Sequence, residues 1–132
     1  AFTGISRAIA QEREARGGTI LSTEDLFGFL ARVLHPKRIL LAGLESAVWE
    51  DFPARTRKIE TITPQSFHEI KAGVGKAEGA DVTGGMESKV TEMLNLVQHN
   101  PDLKIQIFSG AETGNILRAL RGETLGTWIS AE

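Results

Sequence analysis

Four short apolar runs, separated by longer amphipathic stretches, set the pattern of this chain. Each run is short enough to be a strand buried in a sheet. The third run alternates in polarity, which places Ile105 and Ile107 on one face. The strands predicted from these runs span residues 19–21, 38–42, 104–109 and 126–130.

Between the runs, apolar residues recur every three or four positions, as they do on one face of a helix. Pro36 ends the first such stretch, whereas Thr63-Pro64 opens another with an N-cap residue and a proline in the first turn. Residues 43–57 are predicted to form a long loop, and residues 71–85 a glycine-rich one. The apolar helix positions are Leu26, Phe27, Leu30, Val33 and Leu34; Met86, Val90, Met93, Leu94 and Val97; and Ile116, Leu117 and Leu120 in a helix over 115–121 that stops at Gly122.

The alternation of strands and helices predicts an α/β fold with a mainly parallel sheet that is covered on both faces. No repeat or linker divides the chain, so residues 1–132 are interpreted as a single domain. Residues 1–16 are predicted to be an exposed hairpin or loop segment. Because the chain opens on Ala1-Phe2 with no initiator Met, we expect a fragment, or one chain of a split protein.

Charge and composition narrow the range of partners. A net charge of −2 gives no broad basic field, so we expect no nucleic acid partner and no anionic membrane surface. No apolar run approaches the roughly 20 residues that span a bilayer. The absence of cysteine fits a cytoplasmic protein and rules out thiolate chemistry. We predict surface positions for His35, His68 and His99 and assign no metal ligand.

Three junctions, each of which follows a predicted strand, hold the candidate chemistry, because ligands of open α/β sheets collect at the carboxyl ends of strands. In the third junction, Gly84 and Gly85 lead into a helix whose free N–H groups point back at the loop. Lys89 follows about one turn later, so the group forms a candidate phosphate cradle. The simpler alternative is a tight turn followed by a solvated lysine.

The other two junctions have two interpretations each. Asp25 lies in the first turn of a predicted helix, where it either complements the helix dipole or holds lysine ammonium groups around a transferring phosphoryl group. Trp49 and Phe52 lie on the long loop after the second strand. They either stack against an adenine ring or cover the core.

In their order along the chain, these junctions resemble the carboxy-terminal half of isopentenyl phosphate kinases, members of the amino acid kinase superfamily. The most specific piece is Asp81-Val82-Thr83-Gly84-Gly85-Met86 with Lys89, which is similar to that family's DVTGGxxxK stretch. The closing pattern is also similar: Ile107-Phe108-Ser109-Gly110, then residues 115–123, then Gly126-Thr127. Ser22-Thr23-Glu24-Asp25 resembles the family's SGDD stretch.

The resemblance implies a three-layer αβα sandwich and transfer of the γ-phosphoryl group of ATP to isopentenyl phosphate, with Mg²⁺. It implies that Asp25 organises the active-site lysines. Nucleotide contacts would come from Gly43, Val48, Trp49, Gly84, Gly85 and Lys89, with Asp25 and Lys89 serving catalysis.

The chain departs from the family in two ways. The family's amino-terminal half carries a KxGGS loop and a histidine that binds the substrate phosphate. This half has no counterpart here, so a companion chain or fragment is expected to supply it. The complete enzyme is expected to be a homodimer. The family's LTDVDGVY loop is replaced by Leu41-Ala42-Gly43-Leu44-Glu45-Ser46-Ala47-Val48-Trp49, which lacks the TD pair. Fosfomycin, acetylglutamate and uridylate kinases, or a non-catalytic nucleotide-binding module, remain as alternatives.

Overall fold

The computed structural model describes residues 23–74 and 86–132, and the chain divides into two compact units, residues 1–35 and 36–132. In the first unit the described part is helix α1, and the sheet lies in the second. The predicted strand at residues 19–21 and the segment 1–16 lie outside the described residues. The elements in chain order are α1 (Thr23–Leu34), β1 (Arg38–Gly43), β2 (Thr61–Ile62), α2 (Pro64–Val74), α3 (Met86–His99), β3 (Lys104–Ser109), α4 (Asn115–Leu120) and β4 (Thr127–Ile129).

Helix α1 confirms the prediction from apolar spacing and ends at Leu34, shortly before Pro36. Glu24 and Asp25 occupy its first turn and Arg32 its last, so the charges complement the helix dipole at both ends. No helix in the two described ranges is long and apolar enough to cross a bilayer.

The second unit is built on a four-stranded sheet with the strand order β1-β3-β4-β2. β1 and β3 are parallel with Ile39 opposite Ile105, and β2 is parallel to β4. β4 runs antiparallel to β3, with Ile107 opposite Thr127. The predicted α/β class and mainly parallel sheet are therefore confirmed, with one antiparallel pairing at its centre.

The core forms around β3 and α3. The buried face of α3 carries Val90, Met93, Leu94 and Val97, as the spacing predicted, and the helix packs against β3 and β4. Burial along β3 is continuous from Ile105 to Ser109, although the sequence predicted one buried face. The second face is covered as well, because Gln106 Nε2 donates to the Glu123 and Leu125 carbonyls of the segment before β4.

Helix α2 differs from the prediction at its carboxyl end. Residues 71–74 were assigned to the glycine-rich loop, but the helix continues through Val74. Its start was predicted correctly, since Thr63 and Ser66 cap it reciprocally. The Ser66 N–H donates to Thr63 Oγ1 at 3.1 Å, and the Thr63 N–H donates to Ser66 Oγ at 2.9 Å.

Gly126 and Thr127 join the loop after β1 to the middle of the sheet. The buried Thr127 hydroxyl accepts a hydrogen bond from the Val48 N–H at 2.9 Å and donates one to the Ile59 carbonyl at 2.6 Å. Gly126 has φ of +65°, and a Cβ at this position would lie 2.0 Å from the Ile107 carbonyl oxygen. Only glycine fits there.

Replacing Thr127 tests this junction. Thr127→Val keeps the shape but leaves the buried Val48 N–H and Ile59 carbonyl without their partner, so we expect a loss of about 2–4 kcal/mol in the free energy of unfolding. Thr127→Ser keeps the hydroxyl and removes one methyl group, for a loss of about 1 kcal/mol. Urea unfolding of both variants gives the comparison. A smaller loss for Thr127→Val than for Thr127→Ser would show that the methyl group, and not the hydroxyl, matters more at this position.

Candidate functional site

The carboxyl ends of β1 and β3 lie side by side and form the floor of the candidate site. Gly43 is opposite Ser109 in the parallel register, and the Gly110 N–H donates to the Gly43 carbonyl at 2.8 Å. The two strands approach so closely that a Cβ on Gly110 would lie 2.9 Å from Ala42 Cβ. The loops that follow both strands therefore leave the same edge of the sheet, where ligands of α/β proteins bind.

The loop after β1 places the three predicted nucleotide contacts in different environments. Gly43 is exposed, and a Cβ added to it would meet nothing within 4 Å. Val48 is only 1% exposed, and its N–H is bonded to Thr127. Trp49 is half-buried and pairs with Lys58 in an antiparallel bridge. The structure thus gives Val48 an anchoring position, whereas Gly43 and Trp49 retain accessible surface.

The far end of this loop is held by a carboxylate. Asp51 accepts hydrogen bonds from the Thr56 hydroxyl, from the Thr56 N–H at 3.1 Å and from the Arg57 N–H at 3.0 Å. The Thr56 hydroxyl, followed by the Arg57 N–H, holds the pKa of Asp51 below its ordinary value. The contacts therefore favour the folded loop at neutral pH, and their contribution is lost as pH falls through the lowered pKa.

A second charged contact crosses the loop nearer to β1. Glu45 and Arg55 form a two-pronged ion pair, with Arg55 Nη2 at 2.7 Å from Glu45 Oε1 and Arg55 Nε at 3.0 Å from Oε2. The hydrogen bond from Arg55 lowers the pKa of Glu45, and the pKa of Arg55 is raised in return. The Arg55 guanidinium also lies over the Phe52 ring, 4.7 Å from its centroid. One face of Phe52 is therefore already covered by the protein itself.

Asp25 and Lys89, the two predicted catalytic residues, both lie in first helical turns. Asp25 is exposed near the start of α1, and Lys89 is half-buried near the start of α3. Each makes polar or electrostatic interactions within the protein. Gly84 and Gly85 lie outside the described residues. Because Asp25 belongs to the first unit and the other predicted residues to the second, its role alongside them stays a prediction.

The loop between β3 and α4 contributes a feature that the sequence did not indicate. An open depression of about 500 Å³ lies beside Gly110–Gly114 and helix α4. Next to these residues, Asn115 is buried and donates to the Ser109 carbonyl at 3.0 Å and to Glu112 Oε2 at 3.2 Å. Three apolar residues of α4 are about half exposed: Ile116, Leu117 and Leu120. In the sequence, Ser109, Gly110 and Asn115 stood out only as part of the closing family pattern, which gave no indication of a depression.

Residues 23–74 and 86–132 contain no group of three His, Asp or Glu side chains that could hold a metal ion. The three histidines are exposed, as predicted: His35, His68 and His99.

The model of the amino acid kinase family matches residues 4–109, so the chain belongs to that family. The isopentenyl phosphate kinase of Methanocaldococcus jannaschii is 29% identical over 116 residues, which cover 88% of this chain and 41% of that protein. The glutamate 5-kinase of Streptococcus equi subsp. zooepidemicus is 34% identical over 82 residues, which cover 62% of this chain and 28% of that protein.

A solved structure of isopentenyl phosphate kinase is similar to this chain with a TM-score of 0.60 and 25% identity. The alignment covers 84% of this chain and 37% of that one. This similarity confirms the predicted amino acid kinase fold. The chain spans about two fifths of the length of the isopentenyl phosphate kinase it matches, and it therefore represents a part of the family's fold.

Proposed function

We propose that this chain is the nucleotide-binding part of an ATP-dependent phosphotransferase whose acceptor is isopentenyl phosphate. The observation that carries the proposal is the start of α3 at Met86, directly after Gly84-Gly85, with Lys89 in the first turn. The first N–H groups of a helix have no partner within the helix and favour an anion. The ammonium group of Lys89 adds a mobile positive charge at the same end.

The remaining site residues take roles around the nucleotide. Gly84 and Gly85 allow the backbone to approach the phosphates closely. Gly43 and Trp49 face the base and ribose, and Val48 holds their loop through its bond to Thr127. Asp25 orients the lysines that surround the transferring group. This distribution follows the three loop–helix junctions identified in the sequence.

The chemistry requires positioning and charge neutralisation more than covalent catalysis. An oxygen of isopentenyl phosphate forms a bond to the γ-phosphorus of ATP while the bond from that phosphorus to the β–γ bridging oxygen breaks. ADP leaves with the electron pair. The acceptor oxygen is already ionised, so a strong base is unnecessary. Mg²⁺ would supply further charge neutralisation at the phosphates when bound.

A companion half completes the enzyme in this proposal. It carries the acceptor pocket and a second phosphate-binding lysine, and the complete enzyme is a cytoplasmic homodimer. This chain covers 41% of the archaeal isopentenyl phosphate kinase, which supports the assignment of the acceptor pocket to a second half.

Lys89 provides the direct test of nucleotide binding. We expect Lys89→Ala to weaken ATP binding to this chain about tenfold or more, because a charged contact to phosphate is lost. Lys104→Ala is the matched control, since Lys104 is exposed at the opposite end of a parallel strand. Isothermal titration calorimetry gives both affinities. Equal ATP affinity in the wild type and Lys89→Ala would make Lys89 an ordinary surface lysine.

The acceptor is tested separately, because its pocket lies in the companion half. With that half present, we expect phosphoryl transfer from γ-labelled ATP to isopentenyl phosphate to exceed transfer to glutamate, acetylglutamate, uridylate or fosfomycin. Preferential transfer to glutamate would contradict the proposed acceptor and would match the activity named for the Streptococcus relative, a glutamate 5-kinase. ATP binding without transfer to any acceptor would identify a non-catalytic nucleotide-binding module.

A further inference from the structure

The Glu45–Arg55 ion pair joins the two arms of the loop after β1. Glu45 follows Gly43 by two residues, and Arg55 comes from the returning arm of the same loop. The guanidinium contacts both carboxylate oxygens, at 2.7 and 3.0 Å. Such a two-pronged contact fixes distance and orientation together, which a single contact between flexible side chains does not.

Arg55 is held by more than its carboxylate partner. Its Nη1 donates to the Pro53 carbonyl at 3.2 Å, and its guanidinium covers the Phe52 ring. Its backbone has φ of +56°, a left-handed conformation that is unfavourable for a residue with a side chain. These contacts offset that backbone cost. Isolated exposed ion pairs contribute little, but a bidentate pair within a network is the exception.

Other contacts anchor the base and the tip of the loop, so the Glu45–Arg55 pair acts on the segment between β1 and Val48. Thr127 fixes the base of the loop through Val48 and Ile59, and Asp51 fixes its tip. Residues 44–47 lie between the end of β1 and the Val48 anchor. Leu44 in this segment is 89% exposed. The Glu45–Arg55 pair joins this segment to the returning arm of the loop.

We propose that Glu45 and Arg55 are a positioning pair that holds the 43–49 segment in the shape that receives the base and ribose of a nucleoside triphosphate. The inference rests on the proposed function. Without the pair, nucleotide binding must order the segment, and that cost lowers affinity.

Two variants break the pair without removing bulk. Glu45→Gln removes the charge, and Arg55→Lys keeps the charge but removes the planar fork. We expect each to weaken ATP binding about fivefold. The matched control is Arg57→Gln, because Arg57 pairs with Glu50 at 3.5 Å in the same loop and its side chain is 68% exposed. This control should bind ATP with wild-type affinity.

The experiment measures ATP and ADP affinities of this chain by calorimetry, and KM and kcat of the complete enzyme. Because the pair acts on the base side, ATP and ADP should weaken equally and KM should rise while kcat stays within about twofold. The exchanged double variant, Glu45→Arg with Arg55→Glu, should recover part of the affinity. Wild-type affinity in both single variants, or a fall in kcat with an unchanged KM, would overturn the proposal.

The result also separates this inference from the proposed function. A wild-type chain that binds no ATP would overturn the nucleotide-binding assignment itself. A wild-type chain that binds ATP, with single variants that match Arg57→Gln, would overturn the positioning role alone. Thermal unfolding of each variant shows whether the fold is lost. If ATP affinity falls only in proportion to the melting temperature, and the exchanged variant does not recover it, the proposal would also be overturned.

Discussion

The buried Thr127 hydroxyl is the contact on which the candidate site depends. It bonds to the Val48 N–H and the Ile59 carbonyl, so both ends of the segment 48–59 are held at β4. Gly126 makes this approach possible because no side chain fits between the Ile107 and Ser46 carbonyl oxygens. The loop after β1 is therefore fixed at its base by the last strand of the chain, and Asp51 and the Glu45–Arg55 pair determine its outer shape.

The elements predicted correctly are those with a strong local signal. α3 carries four buried apolar residues at helical spacing, and β1 is a compact apolar run that lies against β3. The two-residue strand β2 has no periodicity to detect, and it exists because Thr61 and Ile62 pair with β4. The last turn of α2 was assigned to a loop because Gly73 reads as a helix breaker, yet the helix runs through it.

The candidate site shows the same division between local and long-range information. The position of Lys89 in the first turn of α3 follows from local spacing. The anchoring of Val48 does not, because its partner Thr127 is 79 residues away in sequence. Helix α4 shows the converse: its apolar residues Ile116 and Leu117 are half exposed, whereas Asn115 is buried because its amide group bonds to the end of β3. Hydrophobicity alone could not predict that arrangement.

In our proposal, the start of α3 and the loop after β1 together bind a nucleotide. Amide chemical shifts of this chain, recorded while a non-hydrolysable ATP analogue and Mg²⁺ are added, test it most directly. We expect the largest shift changes at residues 86–89 and 43–49. Changes confined to the opposite end of the sheet, near Arg38 and Lys104, or no changes at saturating analogue, would contradict it.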